Sequence, residues 1–265
     1  MIFSDRHKFV FIHIPKCAGT SVRVAVMPYH DADERFIRTI ERHPRFGELD
    51  FRHLPLHLLR EVDLEAFEKL TVYESYALIR DPFERFRSAM AQRAKMYLGC
   101  ELAQMPEDRI RSELKIVQDY LRQESDVIAP EFIHFARQSD FVQIGGQILV
   151  RNLYPVERLD DLAAALAQRI GLQSLRVGHA NKTQVFRYPQ LKNLARAGSA
   201  AARRMLPDPV HDAVRRSARR LLMKPIVTAP QPVFDSAQVR DFVADHYSAD
   251  VALHQKVRQR IRQSA

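Results

Sequence analysis

The sequence has only two cysteines, Cys17 and Cys100, and no apolar run that approaches the length of a membrane-spanning helix. Two cysteines are too few for a disulfide framework or for a zinc site built on cysteine, and this usage fits a reducing cytoplasm. A membrane helix needs ~20 apolar residues, and the N-terminal MIFSDRHKFVF shows neither the apolar stretch nor the cleavage site of an export signal. The sequence therefore predicts a cytoplasmic protein without a transmembrane segment.

Positive charge is in excess: 41 lysines and arginines stand against 32 acidic residues, which gives a net charge of +9. This excess favours an anionic partner such as a nucleotide, an acidic glycan, a nucleic acid or a membrane surface. A solvated basic surface would explain the charge equally well. Hydrophobic residues make up 46% of the 265 positions, which is enough for a sizeable core.

Strand and helix patterns alternate through the first two thirds of the chain. Short apolar strands are predicted at 8–14, 75–79 and 148–154. Residues 31–60 are mostly irregular, with one short helix near their end. Further helices are predicted at 19–27, 64–70, 82–98, 107–124, 130–138 and 158–171. This order predicts an α/β fold with a central, mostly parallel sheet flanked by helices.

The character of the sequence changes between about 190 and 232, where basic helical segments are bounded by prolines. We expect a basic helical insertion or lid within a single domain that covers 1–265, although a solvated insertion without a role in binding is the simpler interpretation. A pair of helices with apolar residues at helical spacing follows at 234–257. The sequence shows no internal repeat and no low-complexity tract.

The first motif is PKCAGTS at 15–21, which lies between a predicted strand and a predicted helix. A helix N-terminus leaves backbone N–H groups without partners and favours an anion there. Ala18 and Gly19 allow the backbone to approach a ligand closely, and Lys16 adds a positive charge. Thr20 and Ser21 supply hydroxyls for a phosphate or for capping the helix. The motif therefore predicts a phosphate-binding loop.

This loop is not a Walker A sequence, in which the lysine directly precedes the hydroxyl residue that binds magnesium. Here Lys16 stands at the start of the loop, and no lysine lies beside Thr20 or Ser21. Metal-assisted chemistry on a nucleoside triphosphate is therefore disfavoured.

The second motif is RDPFERFRS at 80–88, again at the exit of a predicted strand. Arg80 is expected at the carboxyl edge of the sheet, where open α/β folds bind ligands. An arginine fork and the hydroxyl of Ser88 suit a terminal phosphate, and Arg85 lies between them. The alternative is a surface ion pair of Asp81 with Arg80 or Arg85, with Ser88 uninvolved.

Together, the two motifs resemble the signature of sulfotransferases that use 3′-phosphoadenosine 5′-phosphosulfate (PAPS), in particular the bacterial and Golgi-type carbohydrate sulfotransferases. Looser similarity extends through the segments NLYPVERLDDLAAALAQRIGL, VGHANKTQ and DFVADHYSADVAL. The resemblance implies a sulfotransferase fold related to P-loop NTPases. It also implies transfer of a sulfuryl group from PAPS to a hydroxyl, in line and without a metal.

The resemblance assigns the two motifs to opposite ends of the donor. The residues at 15–21 are expected to bind the 5′-phosphosulfate through these positions: Lys16, Cys17, Ala18, Gly19, Thr20 and Ser21. Lys16 is also expected to neutralise the charge that develops on the leaving oxygen. Arg80 and Ser88 are expected to hold the 3′-phosphate and thereby to discriminate PAPS from ATP.

The acceptor hydroxyl needs a general base, and the family often has a histidine between its two motifs. FRHLPLHLLREV offers His53, the preferred candidate, and His57 as the alternate. His13 follows the alternation of a strand and is expected to be structural. Glu34 and Glu61 are weaker candidates.

The acceptor is expected to be a carbohydrate or glycoconjugate, because the motifs are of the carbohydrate type and the protein is basic. No nucleic-acid partner is expected, since no helix-turn-helix, zinc or RNA-binding signature is present. Two other functions remain open at this point. A P-loop-type kinase would share the topology but needs a GK[ST] loop, and a polyanion binder would use the charge but leave both motifs unexplained.

Overall fold

The computed structural model describes residues 1–37, 40–123, 125–178, 184–186, 218, 223–225 and 232–264. The chain divides into two compact units, of which the first comprises Met1–Gly178 with Gln231–Ala265 and the second comprises His179–Pro230.

The first unit contains eight strands and eight helices among its described residues. The strands are β1 Ile2–Ser4, β2 Phe9–Ile12, β3 Ile40–His43, β4 Gly47–Asp50, β5 Glu74–Ile79, β6 Gln143–Ile144, β7 Gln147–Ile148 and β8 Asn152–Pro155. The helices are α1 Gly19–Val26, α2 Leu56–Val62, α3 Leu64–Val72, α4 Pro82–Tyr97, α5 Glu107–Leu121, α6 Leu159–Ile170, α7 Ala237–His246 and α8 Ser248–Ser264.

The second unit is described only in part. Its strands β9 Gln184–Phe186 and β10 Met223–Pro225 pair antiparallel. The basic helices predicted between 190 and 224, and the insertion predicted at 190–232, otherwise lie almost entirely outside the described residues.

The central sheet has four strands in the order β1, β2, β5, β8. β2 and β8 both run parallel to β5, whereas β1 lies antiparallel to β2 at the edge. All four residues of β2 are buried, as are five of the six in β5, in keeping with a parallel strand covered on both faces. The predicted α/β class and the central, mostly parallel sheet flanked by helices are confirmed.

Two apolar clusters fill this unit. The larger surrounds the sheet and includes Phe11, Leu78 and Leu166. The smaller lies under α4, α5 and α7, where the ring of Phe86 packs against the ring of Tyr247 with centroids 6.1 Å apart. Helix α7 is thus part of the same core as α4, whereas α8 contributes Leu253 and Val257 to the larger cluster.

Three local predictions differ from the structure. The irregular segment 31–60 contains the hairpin of β3 and β4, and β1 was not predicted. The helix predicted at 130–138 is wrong, because the chain forms two short 3-10 turns, Ile133–Phe135 and Ser139–Phe141. Tertiary bonds explain this change, since the backbone N–H groups of Gln138 and Ser139 donate to the carboxylate of Asp250 instead of to helical carbonyls.

Within the described part of the chain, none of the helices combines the length and the apolar character that crossing a membrane requires.

Candidate functional site

The loop between β2 and α1 takes an uncommon backbone path. Lys16 and Ala18 both have positive φ, 65° and 56°, in the left-handed region that most residues avoid. Ala18 is the N-cap of α1, no side chain caps this helix, and its first turn contains no acidic residue. The N-cap residue is therefore Ala18 and not Thr20 or Ser21. The first turn of α1 thus contributes no carboxylate of its own that would compete with an anion.

Gly19 is required by a close contact between this loop and the end of β2. A Cβ placed on Gly19 would lie 2.2 Å from Cδ2 of His13, far inside van der Waals contact. The His13 ring is buried and belongs to a histidine cluster described below. The absence of a side chain at Gly19 thus allows the first turn of α1 to pack directly on that ring.

Lys16 points toward α4. Its Nζ donates to Oε1 of Gln92 at 3.0 Å. Burial, followed by repulsion from Arg80, lowers the pKa of Lys16 to about 8. The cations of the two predicted motifs therefore lie close enough to destabilise each other, and an anion between them would relieve this repulsion.

The second motif forms the exit of β5 and the start of α4, as its sequence predicts. Asp81 is the N-cap of α4 and accepts from the backbone N–H of Glu84 at 3.0 Å, with Pro82 in the first turn. Arg80 is about one third exposed and pairs with Glu84 at 3.5 Å. Ser88 lies one helical turn before Gln92, and the same helix face therefore carries Ser88 and the partner of Lys16.

Arg85 does not belong to the open site that its position in the motif suggests. The side chain is fully buried, and it donates to the carbonyl of His134 at 3.1 Å. Its guanidinium also lies 3.7 Å from Asp250 and over the ring of Tyr247. Arg85 thus joins α4 to the C-terminal helices.

The strand exits of the parallel sheet meet at an open cavity of about 330 Å³. Residues following β2, β5 and β8 line this cavity: Ala18, Arg80, Asp81, Glu84, Val156 and Glu157. The structure therefore brings both predicted motifs to one edge of the sheet, at the carboxyl ends of its strands. The acidic lining residues were not anticipated as part of the site. Among the described residues, no cluster of histidine, cysteine and acidic side chains could hold a metal ion.

Three histidines form a cluster behind the first loop. The ring centroid of His53 lies 4.4 Å from that of His13 and 6.0 Å from that of His134. Nδ1 of His53 contacts the carbonyl of His13 at 2.8 Å, and because a carbonyl only accepts, this nitrogen carries the proton. Nε2 of His53 is then the nitrogen with a lone pair. Burial lowers the pKa of His53 to about 3, which keeps the ring neutral.

The other histidines differ in their surroundings. Burial and the charge of Lys16 lower the pKa of His134 to about 4, and this half-buried ring therefore lies within electrostatic reach of the first loop. The alternate base candidate, His57, lies on α2, where its Nε2 contacts the carbonyl of Asp126 at 2.9 Å. Of the two candidates from the sequence, only His53 joins the cluster next to the first loop.

Sequence reasoning missed four residues that support this site, namely Gln92, His134, Gln138 and Asp250. Gln92, His134 and Gln138 lie outside the quoted motifs, and the segment with His134 and Gln138 was expected to be helical. Asp250 lies in DFVADHYSADVAL, whose similarity to the family assigned it no role. Besides that similarity, the helical spacing of Gln92 from Ser88 is a signal that could have identified a site residue. The others are brought to the site by contacts between distant parts of the chain.

The family model described as "Sulfotransferase family" matches residues 1–224. Neither a curated protein nor a solved structure matches the chain. The matched range includes both strand exits, the histidine cluster and the cavity, and it stops before α7 and α8. On the strength of this match, which covers most of its length, the chain belongs to the sulfotransferase family.

Proposed function

We propose that the protein transfers the sulfuryl group of PAPS to a hydroxyl of a carbohydrate acceptor by in-line displacement. Membership of the sulfotransferase family supports sulfuryl transfer in general. The observation that carries the finer proposal is the convergence of Lys16 and Arg80, from two strand exits, to a mutual distance at which they repel. Two cations brought near each other from separate strand exits, with Arg80 lining the cavity, suit a nucleotide that bears phosphate at two positions.

In this proposal the loop at 15–21 binds the 5′-phosphosulfate. The uncapped amides at the start of α1 and the ammonium of Lys16 are suitable donors to its oxygens. Sulfuryl transfer leaves negative charge on the bridging oxygen, and Lys16 is the nearby cation that stabilises it. Release of Lys16 from Gln92 makes the ammonium available for this role.

Arg80 and Ser88 bind the 3′-phosphate in this proposal. Arg80 lines the cavity, and its guanidinium offers a planar pair of donors. The Ser88 hydroxyl has no hydrogen-bond partner among the described residues and remains available. Binding of the 3′-phosphate requires Arg80 to exchange the carboxylate of Glu84 for the phosphate.

His53 is the proposed general base. Its Nδ1–H is held by the carbonyl of His13, which leaves Nε2 to accept the proton of the acceptor hydroxyl. The low pKa of the free protein ensures the neutral form at neutral pH. The negative charge of a bound donor would raise that pKa and increase the basicity of Nε2.

Calorimetry with adenosine 3′,5′-bisphosphate, compared with ATP and magnesium, tests the donor site. We expect saturable binding of the bisphosphate and much weaker binding of ATP. Lys16→Ala and Arg80→Ala should each weaken binding by at least about tenfold, as the loss of a charged hydrogen bond predicts. Binding of ATP with magnesium but not of the bisphosphate would favour a kinase and contradict the proposal.

Transfer of labelled sulfate from PAPS to a panel of glycans, lipids and small alcohols tests the acceptor. The net charge of +9 supports an anionic glycan. We expect labelling of glycans, and labelling confined to the other classes would contradict the carbohydrate assignment. His53→Ala should abolish turnover while bisphosphate binding persists, and His57→Ala is the matched control that should retain turnover.

A further inference from the structure

The side chain of Gln138 joins the two strand exits from the inside of the protein. Its Oε1 accepts from the backbone N–H of Arg80 at 2.8 Å, and its Nε2 donates to the carbonyl of Arg80 at 2.9 Å. The same Oε1 accepts from Sγ of Cys17 at 3.1 Å. The orientation of the amide is fixed, because Arg80 presents one donor and one acceptor.

This pair of bonds substitutes for a neighbouring strand. A residue within a sheet exchanges its N–H and C=O with a strand beside it, and Arg80 lies just beyond β5, where the ladder to β2 has ended. Gln138 supplies both bonds from a single side chain that is fully buried. Arg80 is thereby held in place without help from the solvent or from the ligand.

The backbone of Gln138 is anchored in turn by the C-terminal helix α8. Asp250 accepts from the N–H groups of Gln138 and Ser139 at 2.8 and 2.9 Å. Arg85 lies 3.7 Å from the same carboxylate. A continuous chain of polar contacts therefore runs from α8 through Gln138 to both loops.

We propose that Gln138 is a positioning residue for sulfuryl transfer. It fixes the distance between the loop at 15–21 and Arg80, so that one donor molecule can bind to both. This inference rests on the proposed function. It predicts that loss of the Gln138 amide weakens the binding of a ligand with two phosphates. Such a ligand gains affinity from both loops only while the separation of the loops matches the length of the ligand. A ligand with one phosphate needs one loop and is insensitive to that separation.

The test compares Gln138→Met, which keeps the volume but removes the amide, with the unchanged protein. Calorimetry measures the affinities for adenosine 3′,5′-bisphosphate and for adenosine 5′-phosphate. We expect the bisphosphate to lose about tenfold or more in affinity and the monophosphate to change little, so that their ratio falls. The donor KM should rise in parallel.

Gln118→Met is the matched control, since Gln118 is a second buried glutamine that forms no hydrogen bond with either loop. It should leave the affinity ratio unchanged even if it lowers thermal stability. Cys17→Ala and Cys17→Ser are milder changes, useful if Gln138→Met does not fold. Serine keeps a donor for Gln138, and it should preserve the ratio better than alanine.

An unchanged ratio in Gln138→Met, or in both Cys17 variants where Gln138→Met does not fold, would overturn the inference and leave Gln138 a purely structural residue. Absence of bisphosphate binding in the unchanged protein is a different result. It would contradict the proposed function itself, and the inference with it.

Discussion

At the residue scale, the absence of a side chain at Gly19 allows α1 to begin at this position. The buried ring of His13 occupies the space that a side chain would need. His13 cannot easily withdraw, because its carbonyl and its ring are both engaged by His53. Packing by itself therefore requires the glycine in this loop.

Gly19→Ala should lower the free energy of unfolding by about 1–3 kcal/mol, the usual cost of forcing an extra carbon into a packed site. Urea denaturation measures this change. Gly178→Ala is the control, since a Cβ there would meet nothing within 4 Å. Equal stability of the Gly19→Ala and Gly178→Ala proteins would show that the His13 ring moves aside.

Lys16 should make bisphosphate binding depend on pH. Its pKa of about 8 means that the free protein loses this charge as the pH rises above that value. Anion binding requires the protonated form, so that affinity should fall by up to about tenfold per pH unit above the pKa. Calorimetry between about pH 7 and 9.5 measures the decline. Lys16→Arg stays charged and should remove this dependence, and a decline that persists in Lys16→Arg would assign it to another group.

Glu84 should weaken phosphate binding at Arg80, because it is the partner that the phosphate displaces. The pair is partly exposed and worth about 0–1 kcal/mol, and Glu84→Gln should therefore tighten bisphosphate binding by about two- to fivefold. Calorimetry checks the gain. Glu65→Gln is the control, since it removes a carboxylate from a similar helical pair with Lys69. Weaker binding in Glu84→Gln would indicate that Glu84 contacts the nucleotide favourably.

At the scale of elements, the C-terminal helices stabilise the site from behind. Tyr247, between α7 and α8, donates its hydroxyl to the carbonyl of Phe135 at 2.7 Å. Asp250 holds the 3-10 turns at Ile133–Phe135 and Ser139–Phe141 together with Arg85. These contacts explain why the segment before β6 is not helical. They also connect helices beyond the family match to the site within it.

Asp250→Asn should destabilise the protein by about 3–5 kcal/mol, because it removes the negative charge that lies 3.7 Å from the buried guanidinium of Arg85. Urea denaturation measures the loss. Asp241→Asn is the control, because Asp241 is an exposed carboxylate on α7. A loss below about 1 kcal/mol would show that the remaining contacts of Arg85 compensate for the missing charge.

At the scale of the whole molecule, the neutral histidine cluster should make the protein sensitive to acid. Burial lowers the pKa values of His13, His53 and His134 below the ordinary 6.5. Between these values and 6.5 the unfolded chain binds more protons than the folded protein, and stability therefore falls as the pH decreases.

Lowering the pH from about 7.5 to 5 should cost on the order of 2 kcal/mol from His53 alone. Urea denaturation at both pH values tests this effect. His53→Gln removes the proton-binding group and should reduce the loss. His43→Gln, on the hairpin outside the cluster, should show the same loss as the unchanged protein, and identical losses in all three proteins would refute the assignment.

The parts of the fold that could be predicted depend on local signals. The strands at Phe9–Ile12 and Glu74–Ile79 lie in short apolar runs. Pro15 follows the first run and Asp81–Pro82 follows the second, and these residues end the strand pattern. The hairpin of β3 and β4 lacks such a run, because its first strand alternates between exposed and half-buried residues. The base candidate His53 was identified between the motifs, but its partners His13 and His134 come from other segments.

The sequence by itself determined the α/β class, the two motifs and their places at strand exits, since these depend on residues adjacent in the chain. Only the tertiary structure decided that Arg85 is buried, that Gln138 bridges the two exits, and that Glu84 pairs with Arg80. The physical reason is that side-chain amides and carboxylates pair with whatever group the packed core brings near them. Such pairing depends on distances between segments, which no local spacing encodes.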